Sequence, residues 1–554
     1  MRIDPQDGQL TGLGGCFRGE NGDRGRAGSW REIIWCSRTC SASRACGIAL
    51  VRARSRVCRS FFCLVPAVPA WETGMKLCEY VTYDALDLAE LVRSGEVSAE
   101  ELRDAALLAI EQVNSELNAV IGLTPDETER ALRGRARAAP FSGVPFLLKD
   151  IGAHMASVPS ELGSRFAKGL TPPTDTELAA RFKKAGLVTV GRTNVPEFGD
   201  NVSTESLLYG PAHNPWDLSR STGGSSGGAA AAVAAGIVPM AHGNDGGGSI
   251  RVPAACCGVF GMKPSRGRNP AGPQYDDLIF GLGVEHVLTR TVRDSAAMLD
   301  ATHGADAGAR YLLPSPETTY LAACERDPKP LRIAFSVKPS EGAPEIDALC
   351  REAVLETARL CESLGHHVFE GAPLIDHDEV CAVFRDVAAP FMTASLKTLA
   401  EALDKEVTAD ELESTTWAIF IHGARMSAAE FAGAIGNVNA VSRKLGQFFT
   451  SCDLWLSPVL SRPTVKLGVL DANEKGLDAF QWVRKMMDYA PFCAMFNGSG
   501  QPAMSVPLHQ TPDGLPVGVQ FAAPFGDEST LFSLAGQLER ARPWAERHPE
   551  VFVR

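Results

Sequence analysis

The hydrophobic and polar positions follow helical and strand periods in turn along most of the chain after residue 75. Apolar residues recur every three to four positions from Tyr83 to about Val120, where Ser98–Glu101 forms a capping box. The same period predicts helices over Asp175–Ala185 and Glu345–Leu364. Short apolar runs predict strands at Gly143–Lys149, Leu187–Val190, Ile237–His242, Arg332–Val337, His367–Glu370, Leu454–Leu460, Ala503–Pro507 and Val517–Phe521.

This order of elements predicts an α/β fold, with a β-sheet covered by helices. Residues 381–450 show mostly helical patterning, so we expect them to form an insertion that caps the sheet. No internal repeat and no long Gly/Ser-rich or Pro-rich linker follows residue 75. We therefore expect a single domain over residues 75–554.

The composition favours an acidic, soluble enzyme. Hydrophobic residues make up 45% of the 554 residues and charged residues 22%, which excludes a disordered or fibrous protein. The net charge of −12 argues against a nucleic-acid partner, and the lack of 18 consecutive apolar residues argues against a membrane span. The nine cysteines after residue 74 include no C-x-x-C pair, which predicts buried free thiols in a reducing cytoplasm.

The first 74 residues differ in composition from the rest of the chain. They contain 11 Arg, no Lys, 6 Asp and Glu together, and 6 of the 15 Cys, without clear periodicity. We interpret residues 1–74 as a non-native extension upstream of a natural start at Met75, with a disordered leader as the alternative. A signal peptide fits less well, because two prolines interrupt the apolar run and about 59 residues precede it.

Two glycine-rich turns that carry serine are the most unusual part of the sequence. Ser221–Gly236 opens into an alanine-rich helix, and Gly243–Arg251 follows a short strand. A phosphate-binding P-loop is excluded because no lysine closes the first turn. Gly223–Gly227 has the spacing of a nucleophile elbow, but that elbow must follow a buried strand, and Asn214–Thr222 is polar and turn-like. A pair of serine-capped turns without catalytic function remains an alternative.

The second turn has the features of an oxyanion hole. Three consecutive glycines, 246 to 248, allow neighbouring backbone N–H groups to point at one site, and Ser249 stands where an attacking hydroxyl is needed. A serine nucleophile requires a base, and no histidine has a recognisable triad context. Lys149 follows an apolar run where burial would lower its pKa; alternatively, it is an ion-paired lysine beside Asp150.

On these residues the sequence resembles the amidase signature family, over about residues 78–545. The Gly-Gly-Ser-Ser-Gly-Gly loop at 223–228 is followed, 24 residues after Ser225, by the serine of a Gly-Gly-Ser-Ile-Arg motif. The remaining motifs fit in the same order: Leu148–Asp150, Thr193–Phe198, Tyr209-Gly, Asn214–Asp217, Gly500–Pro507 and Gly514–Gln520. The resemblance implies a mixed central β-sheet covered by helices on both faces.

The resemblance also implies a Ser–cis-Ser–Lys triad that needs no metal or cofactor. By position, Ser249 would be the nucleophile, Ser225 the bridging serine and Lys149 the base. The oxyanion would be bound by the backbone N–H groups of Gly246, Gly247, Gly248 and Ser249. Supporting roles are implied for Ser226, Asp245 and Arg251.

Within the family, Gly224–Arg268 is most similar to bacterial amidases related to nylon-oligomer hydrolases, aryl acylamidases and urethanases. That similarity implies a hydrophobic or aryl amide substrate, and also small carbamates (urethanes). The apolar residues of segment 381–450 either line the substrate site or form the interior of its helices: Phe384, Phe391, Met392, Trp417, Ile419, Phe420, Ile421 and Met426.

Two other functions stay open. A glutaminase subunit of a tRNA-dependent amidotransferase would release ammonia from glutamine and would need partner chains. A non-catalytic, amidase-like binding protein would not need the intact set of Lys149, Ser225 and Ser249. The sequence leaves the oligomeric state open, with a homodimer as one option.

Overall fold

A computed structural model describes residues 75–338 and 340–554. The predicted extension over residues 1–74 lies outside the described residues. All described residues fall within one compact unit. Nine cysteines are described, and all are free; eight are buried, and Cys78 is exposed.

The helices of the described part are α1 (Leu77–Tyr80), α2 (Ala85–Ser94), α3 (Ala99–Leu117), α4 (Pro125–Gly134), α5 (Glu177–Lys184), α6 (Gly227–Ala234), α7 (Arg251–Cys257), α8 (Val292–Thr302), α9 (Tyr320–Cys324), α10 (Ala348–Ser363), α11 (His377–Leu403), α12 (Ser414–Arg425), α13 (Ala428–Phe448), α14 (Ala479–Tyr489), α15 (Ala494–Ser499) and α16 (Glu528–Ala541). None of them is long and apolar enough to span a bilayer.

The strands of the same part are β1 (Val120–Leu123), β2 (Pro145–Lys149), β3 (Val188–Thr193), β4 (Glu205–Ser206), β5 (Gly210–Pro211), β6 (His213–Asn214), β7 (Asp217–Ser221), β8 (Met240–Asp245), β9 (Phe260–Lys263), β10 (Val284–Thr289), β11 (Arg332–Phe335), β12 (His367–Glu370), β13 (Leu454–Pro458), β14 (Ala503–Gln510) and β15 (Pro516–Ala522).

A mixed sheet forms the centre of the fold, as the sequence predicted. In the described residues it has eleven strands in the order β1-β3-β2-β8-β10-β9-β14-β15-β13-β11-β12. β2 runs parallel to β3 and β8, and β11 runs parallel to β12 and β13, while the other neighbouring strands are antiparallel. Helices cover both faces of this sheet, which makes it an α/β fold.

Most predicted elements are present, with boundaries shifted by a few residues. The capping box at Ser98 is confirmed, because its side chain accepts from the Glu101 N–H and Glu101 accepts from the Ser98 N–H. Segment 381–450 is helical, as predicted. The turn predicted over Asn214–Thr222 is wrong in part: β7 lies there and pairs with β6 in a separate two-stranded sheet. Its polar residues fit a strand outside the buried central sheet.

The helix after the first glycine-rich turn is buried along its whole length. All eight residues of α6 are buried, and seven of them are Gly or Ala. A Cβ added at Gly228 would lie 2.4 Å from the backbone nitrogen of Asn194, so glycine is required for this close approach. The small side chains thus allow the backbone of α6 to approach its neighbours closely.

Two adjacent parallel strands bring the candidate residues to one edge of the sheet. β2 ends at Lys149 and β8 ends at Asp245, and the two strands pair through Leu147 and Ala241. The turns that precede α6 and α7 are joined by a hydrogen bond from the Ser226 N–H to the Ser249 carbonyl oxygen, at 3.2 Å. The fold therefore gathers segments that are far apart in sequence around the end of β2.

Candidate active site

Lys149 is the buried centre of the site. Its side chain is 1% exposed, and its Nζ lies 2.8 Å from Ser225 Oγ, 2.8 Å from Ser226 Oγ and 2.6 Å from Asn244 Oδ1. Burial lowers the pKa of Lys149 to about 7, although the carboxylates of Glu285 and Asp245 act in the opposite direction. A large fraction of Lys149 is therefore a neutral amine near pH 7, as a base requires.

Glycine allows the first turn to place two serines beside this amine. The Gly224–Ser225 peptide bond is cis. A Cβ added at Gly224 would lie 2.6 Å from the carbonyl oxygen of Asn201 and 2.7 Å from the Ser203 nitrogen, so no larger residue fits. Ser226 Oγ donates to the Asn244 carbonyl oxygen at 3.3 Å, which links the turn to β8.

The second turn presents backbone donors, but one of the four predicted donors is already engaged. The Gly248 N–H donates to Asp245 Oδ1 at 2.8 Å. Within the described residues, the N–H groups of Gly246, Gly247 and Ser249 have no acceptor. Three donors are therefore available to an oxyanion, rather than four. Ser249 itself is 9% exposed.

Asp245 and Arg251 form a buried ion pair beneath this turn. Asp245 also accepts from the N–H of Ile250, and Arg251 Nη2 lies 2.8 Å from Asp245 Oδ1. Burial alone would raise the pKa of Asp245, but the Arg251 guanidinium holds that pKa well below its usual range. The pair is satisfied further by Asn497 and Gln520, which accept from Arg251 at 2.7 and 2.8 Å. The ion pair and its hydrogen bonds hold the backbone of the turn in place.

Several residues of the site were not identified from the sequence. Asn244 contacts the Lys149 amine, and Asn497 donates to Asp245 Oδ1 at 2.8 Å. Glu285 lies on β10, its charge raises the pKa of Lys149, and His242 Nε2 lies 3.3 Å from its Oε2. An asparagine beside glycines is typical of any turn, and Asn497 lies 252 residues from Asp245. Only the tertiary fold brings these groups together.

Apolar side chains cover the glycine turn from outside. A Cβ added at Gly247 would lie 2.7 Å from Phe384 Cε2, and one added at Gly246 would lie 2.8 Å from Ile279 Cδ1. Phe384 belongs to α11, within the segment that the sequence predicted as a cap, whereas Ile279 lies in a 3₁₀ turn, Leu278–Gly281. The space next to the predicted oxyanion hole is therefore apolar.

Some of the predicted apolar residues of segment 381–450 form the interior of its helices, and others lie close to the candidate site. Ile419 and Phe420 are buried, and Met392, Trp417 and Ile421 pack in a hydrophobic cluster around Phe166 and Leu396. Those residues form helix interior. Phe384 contacts the glycine turn, and Phe391 lies among aromatic rings outside it.

Acyl transfer requires a base, a nucleophile and donors for the oxyanion. The site contains a buried amine whose pKa is about 7, two serines beside it, and backbone N–H groups without acceptors among the described residues. The family model described as Amidase matches residues 101–532, more than half of the chain. The chain belongs to the amidase signature family. It is an amidase, a hydrolase that acts on carbon–nitrogen bonds other than peptide bonds.

Related sequences and related solved structures both agree with this assignment. The amidase is 35% identical over 484 residues to the 6-aminohexanoate-cyclic-dimer hydrolase of Paenarthrobacter ureafaciens, covering 84% of this chain and 96% of the relative. A solved structure of 6-aminohexanoate cyclic dimer hydrolase matches with a TM-score of 0.80 and 34% identity, covering 85% of this chain and 99% of that one.

A solved bacterial aryl acylamidase, described as an amidase signature enzyme, matches with a TM-score of 0.75 and 26% identity, covering 84% and 97% of the two chains. The amidase is therefore related to nylon-oligomer hydrolases and to aryl acylamidases along nearly their whole length.

Proposed function

We propose that this amidase hydrolyses hydrophobic or aryl amides, and small carbamates, through an acyl-enzyme formed on Ser249. In this proposal Ser225 bridges the nucleophile to Lys149, which is the base. The observation that carries it is the contact of 2.8 Å between a buried Lys149 Nζ and Ser225 Oγ, combined with the lowering of the Lys149 pKa to about 7.

The hydrogen-bond partners of Lys149 can accommodate the neutral form of the amine that the proposal requires. A neutral amine has two N–H donors and one lone pair. Asn244 Oδ1 can only accept, and Ser226 Oγ already donates to a carbonyl oxygen, so these two groups take the two N–H donors. The lone pair is then left for the hydroxyl proton of Ser225, which is the direction of transfer that a base requires.

The proposed reaction moves one proton along this path in each direction. Lys149 takes the proton of Ser225, and Ser225 takes the proton of Ser249 as Ser249 Oγ forms a bond to the substrate carbonyl carbon. The N–H groups of Gly246, Gly247 and Ser249 stabilise the oxyanion. The relay then returns the proton to the leaving nitrogen as the C–N bond breaks. Water, activated along the same path, hydrolyses the ester and frees Ser249.

In the described residues, no hydrogen bond joins Ser225 Oγ to Ser249 Oγ. The proposal therefore requires this contact to tighten when substrate binds, as catalytic hydrogen bonds commonly do.

The apolar cover of the glycine turn supports the substrate class. Phe384 and Ile279 lie against Gly247 and Gly246, where the groups next to the scissile bond would be held. Burial of apolar area is worth about 25 cal/mol per Å², so an aryl or alkyl group gains more there than the polar side chain of glutamine. A carbamate offers the same carbonyl with a nitrogen leaving group, so it fits the same relay.

A substrate panel tests the proposal. We expect kcat/KM for a nitroanilide and for an aryl carbamate to exceed that for glutamine, and folded Ser249→Ala to hydrolyse none of them. The control is the melting temperature of Ser249→Ala, which should match that of the parent protein. Glutamine preferred by about tenfold or more would instead favour a glutaminase subunit. Activity retained by Ser249→Ala would refute the assignment of the nucleophile.

A further inference from the structure

A turn beside the site holds two large residues in a backbone conformation that they rarely adopt. Ile279 has φ 52° and ψ 47°, and Phe280 has φ 49° and ψ 41°, both in the left-handed region. A β-branched residue in that region is a genuine outlier, and each such residue costs on the order of 1–3 kcal/mol. Such conformations persist only where the contacts of the surrounding structure compensate for the strain.

Neighbouring groups hold this turn against the glycine turn of the site. Ile279 Cδ1 occupies the space next to Gly246. Arg266, which is partly buried, donates from Nε to the Gly281 carbonyl oxygen at 2.5 Å and from Nη2 to the Gly498 carbonyl oxygen at 2.6 Å. The strained turn is thus anchored at its C-terminal end, directly beside the predicted oxyanion hole.

Aromatic rings continue from this turn to the surface. The Phe280 ring centroid lies 4.9 Å from that of Phe431 and 5.8 Å from that of Phe391, and Tyr275 lies 5.7 Å from Phe391. Phe384 and Phe391 are seven residues apart on α11, so they share one helix face. We call these five residues the aromatic strip: Tyr275, Phe280, Phe384, Phe391 and Phe431.

The outer end of the aromatic strip is not buried by the protein. Tyr275 and Phe280 are 43% and 44% exposed, although both rings contact other rings. Burying the exposed part of these rings against a ligand would gain free energy. The inner end touches Gly247 through Phe384. Ile279 and Phe384 pack on the same buried hydrophobic cluster, and Phe280 directly follows Ile279 in the chain. Apolar side chains therefore extend from the glycine turn towards the exposed rings.

We infer that the aromatic strip is the binding site for an extended alkyl or aryl substituent of the substrate, while the reacting carbonyl is held at the glycine turn. This inference rests on the proposed function and adds to it the residues that select the substrate. Ile279 closes the inner end beside Gly246, and Phe280 offers its exposed ring to the far end of the substituent.

The test compares one short amide with two long ones: N-methylbutanamide, N-methyldecanamide and N-decylacetamide. The variants are Phe280→Ala and Phe431→Ala, and Phe280→Tyr keeps the ring. The matched control is Phe369→Ala, because Phe369 is 38% exposed but lies on β12, the last strand of the sheet order, whereas the site is formed at β2 and β8, the third and fourth strands. Melting temperatures establish that each variant is folded.

We expect Phe280→Ala to lower kcat/KM for one of the long amides by about tenfold or more, chiefly through KM, and to change the short amide less than about twofold. Phe280→Tyr should retain most of the parent activity, and Phe369→Ala should change neither substrate. A lower kcat/KM for N-methyldecanamide would place the acyl group on the strip. A lower kcat/KM for N-decylacetamide would place the amine substituent there. Equal effects on long and short amides overturn the inference while leaving the proposed chemistry intact.

A binding measurement keeps this test separate from the chemistry. If the parent protein hydrolyses none of the three amides, nor the nitroanilide and aryl carbamate of the substrate panel, the proposed function fails by itself. Calorimetric titration of N-decylacetamide and N-methyldecanamide into Ser249→Ala, with and without Phe280→Ala, then tests the strip alone. At least about tenfold weaker binding of one long amide to the double variant supports the inference, and equal binding of both overturns it.

Discussion

At the scale of single residues, the proposed chemistry depends on one buried amine. Burial moves the pKa of Lys149 down to about 7, and three oxygen atoms at 2.6 to 2.8 Å fix its position. Two carboxylates oppose the shift, those of Glu285 and Asp245. The Asp245 charge is paired with Arg251, whereas Glu285 Oε1 is buried without a partner among the described residues.

The first prediction concerns the dependence of activity on pH. A protonated Lys149 cannot accept a proton, so kcat/KM should rise with pH through about 7. Glu285→Gln removes a negative charge that raises the pKa of Lys149, so the rising limb should move to lower pH.

Lys149→Ala and Ser225→Ala should each lower kcat/KM by at least about 10²-fold.

The measurement is a pH–rate profile of the parent and of Glu285→Gln on one nitroanilide, with melting temperatures at each pH as the control. If the profile has no rising limb and Lys149→Ala leaves kcat/KM unchanged, another group is the base.

The sequence drew attention to the two serine turns because consecutive glycines and serines are unusual there, and to Lys149 because it follows an apolar run. Their roles came from the family resemblance and remain proposals. The sequence did not identify Asn244, Asn497 or Ile279. Asn497 reaches Asp245 from 252 residues away, and Ile279 reaches Gly246 through a strained turn whose sequence has no turn signal at its centre. The sequence also predicted four backbone donors for the oxyanion, because residue type does not show that the Gly248 N–H already donates to Asp245.

At the scale of elements, the site is built where β2 and β8 end and α6 and α7 begin. Hydrophobic runs predicted β2, the region of β8 and the helices of segment 381–450, because period and length are local properties. β9 and β10 were not predicted. β9 is Phe-Gly-Met-Lys and β10 begins Val-Glu-His, and neither has a strong period of its own. Both strands form through pairing with a neighbouring strand on each side: β9 pairs with β10 and β14, and β10 pairs with β8 and β9.

The second prediction tests the backbone of the turn before α7. Gly248 has φ 136°, and an added Cβ would lie 3.0 Å from both Cys493 Cβ and Val252 Cγ2. Gly248→Ala should therefore lower the free energy of unfolding by about 1–3 kcal/mol and lower kcat as the turn shifts. Urea unfolding and steady-state kinetics measure the two effects.

Gly436→Ala is the matched control for that prediction. Gly436 lies on the exposed face of α13, and an added Cβ would meet nothing within 4 Å. Alanine there should raise stability by up to about 1 kcal/mol and leave kcat unchanged. Equal stability and rate for Gly248→Ala and the parent would show that the turn tolerates a side chain.

At the scale of the whole molecule, one sheet carries both the candidate site and the helices packed around it. The family match and the relatives extend over most of residues 75–554. The first described helix, α1, begins at Leu77. The N-terminal 74 residues were interpreted from composition alone, and that interpretation remains a proposal.

The third prediction is that a protein starting at Met75 folds and works. Because the family match begins at residue 101, no catalytic element is lost. Its melting temperature should match that of the full chain, and kcat/KM should agree within about twofold. A full chain that is active beside a truncated protein that is insoluble or inactive would show that residues 1–74 are required.

The central claim is that Ser249 is the nucleophile activated by Ser225 and Lys149, and covalent labelling tests it most directly. The parent protein is treated with a fluorophosphonate near pH 8, and the modified peptide is located by mass spectrometry, with Ser249→Ala and Lys149→Ala treated in parallel. We predict a single adduct on Ser249, none in Ser249→Ala, and labelling of Lys149→Ala slowed by at least about 10²-fold. An adduct on another residue that persists in folded Ser249→Ala would contradict the account.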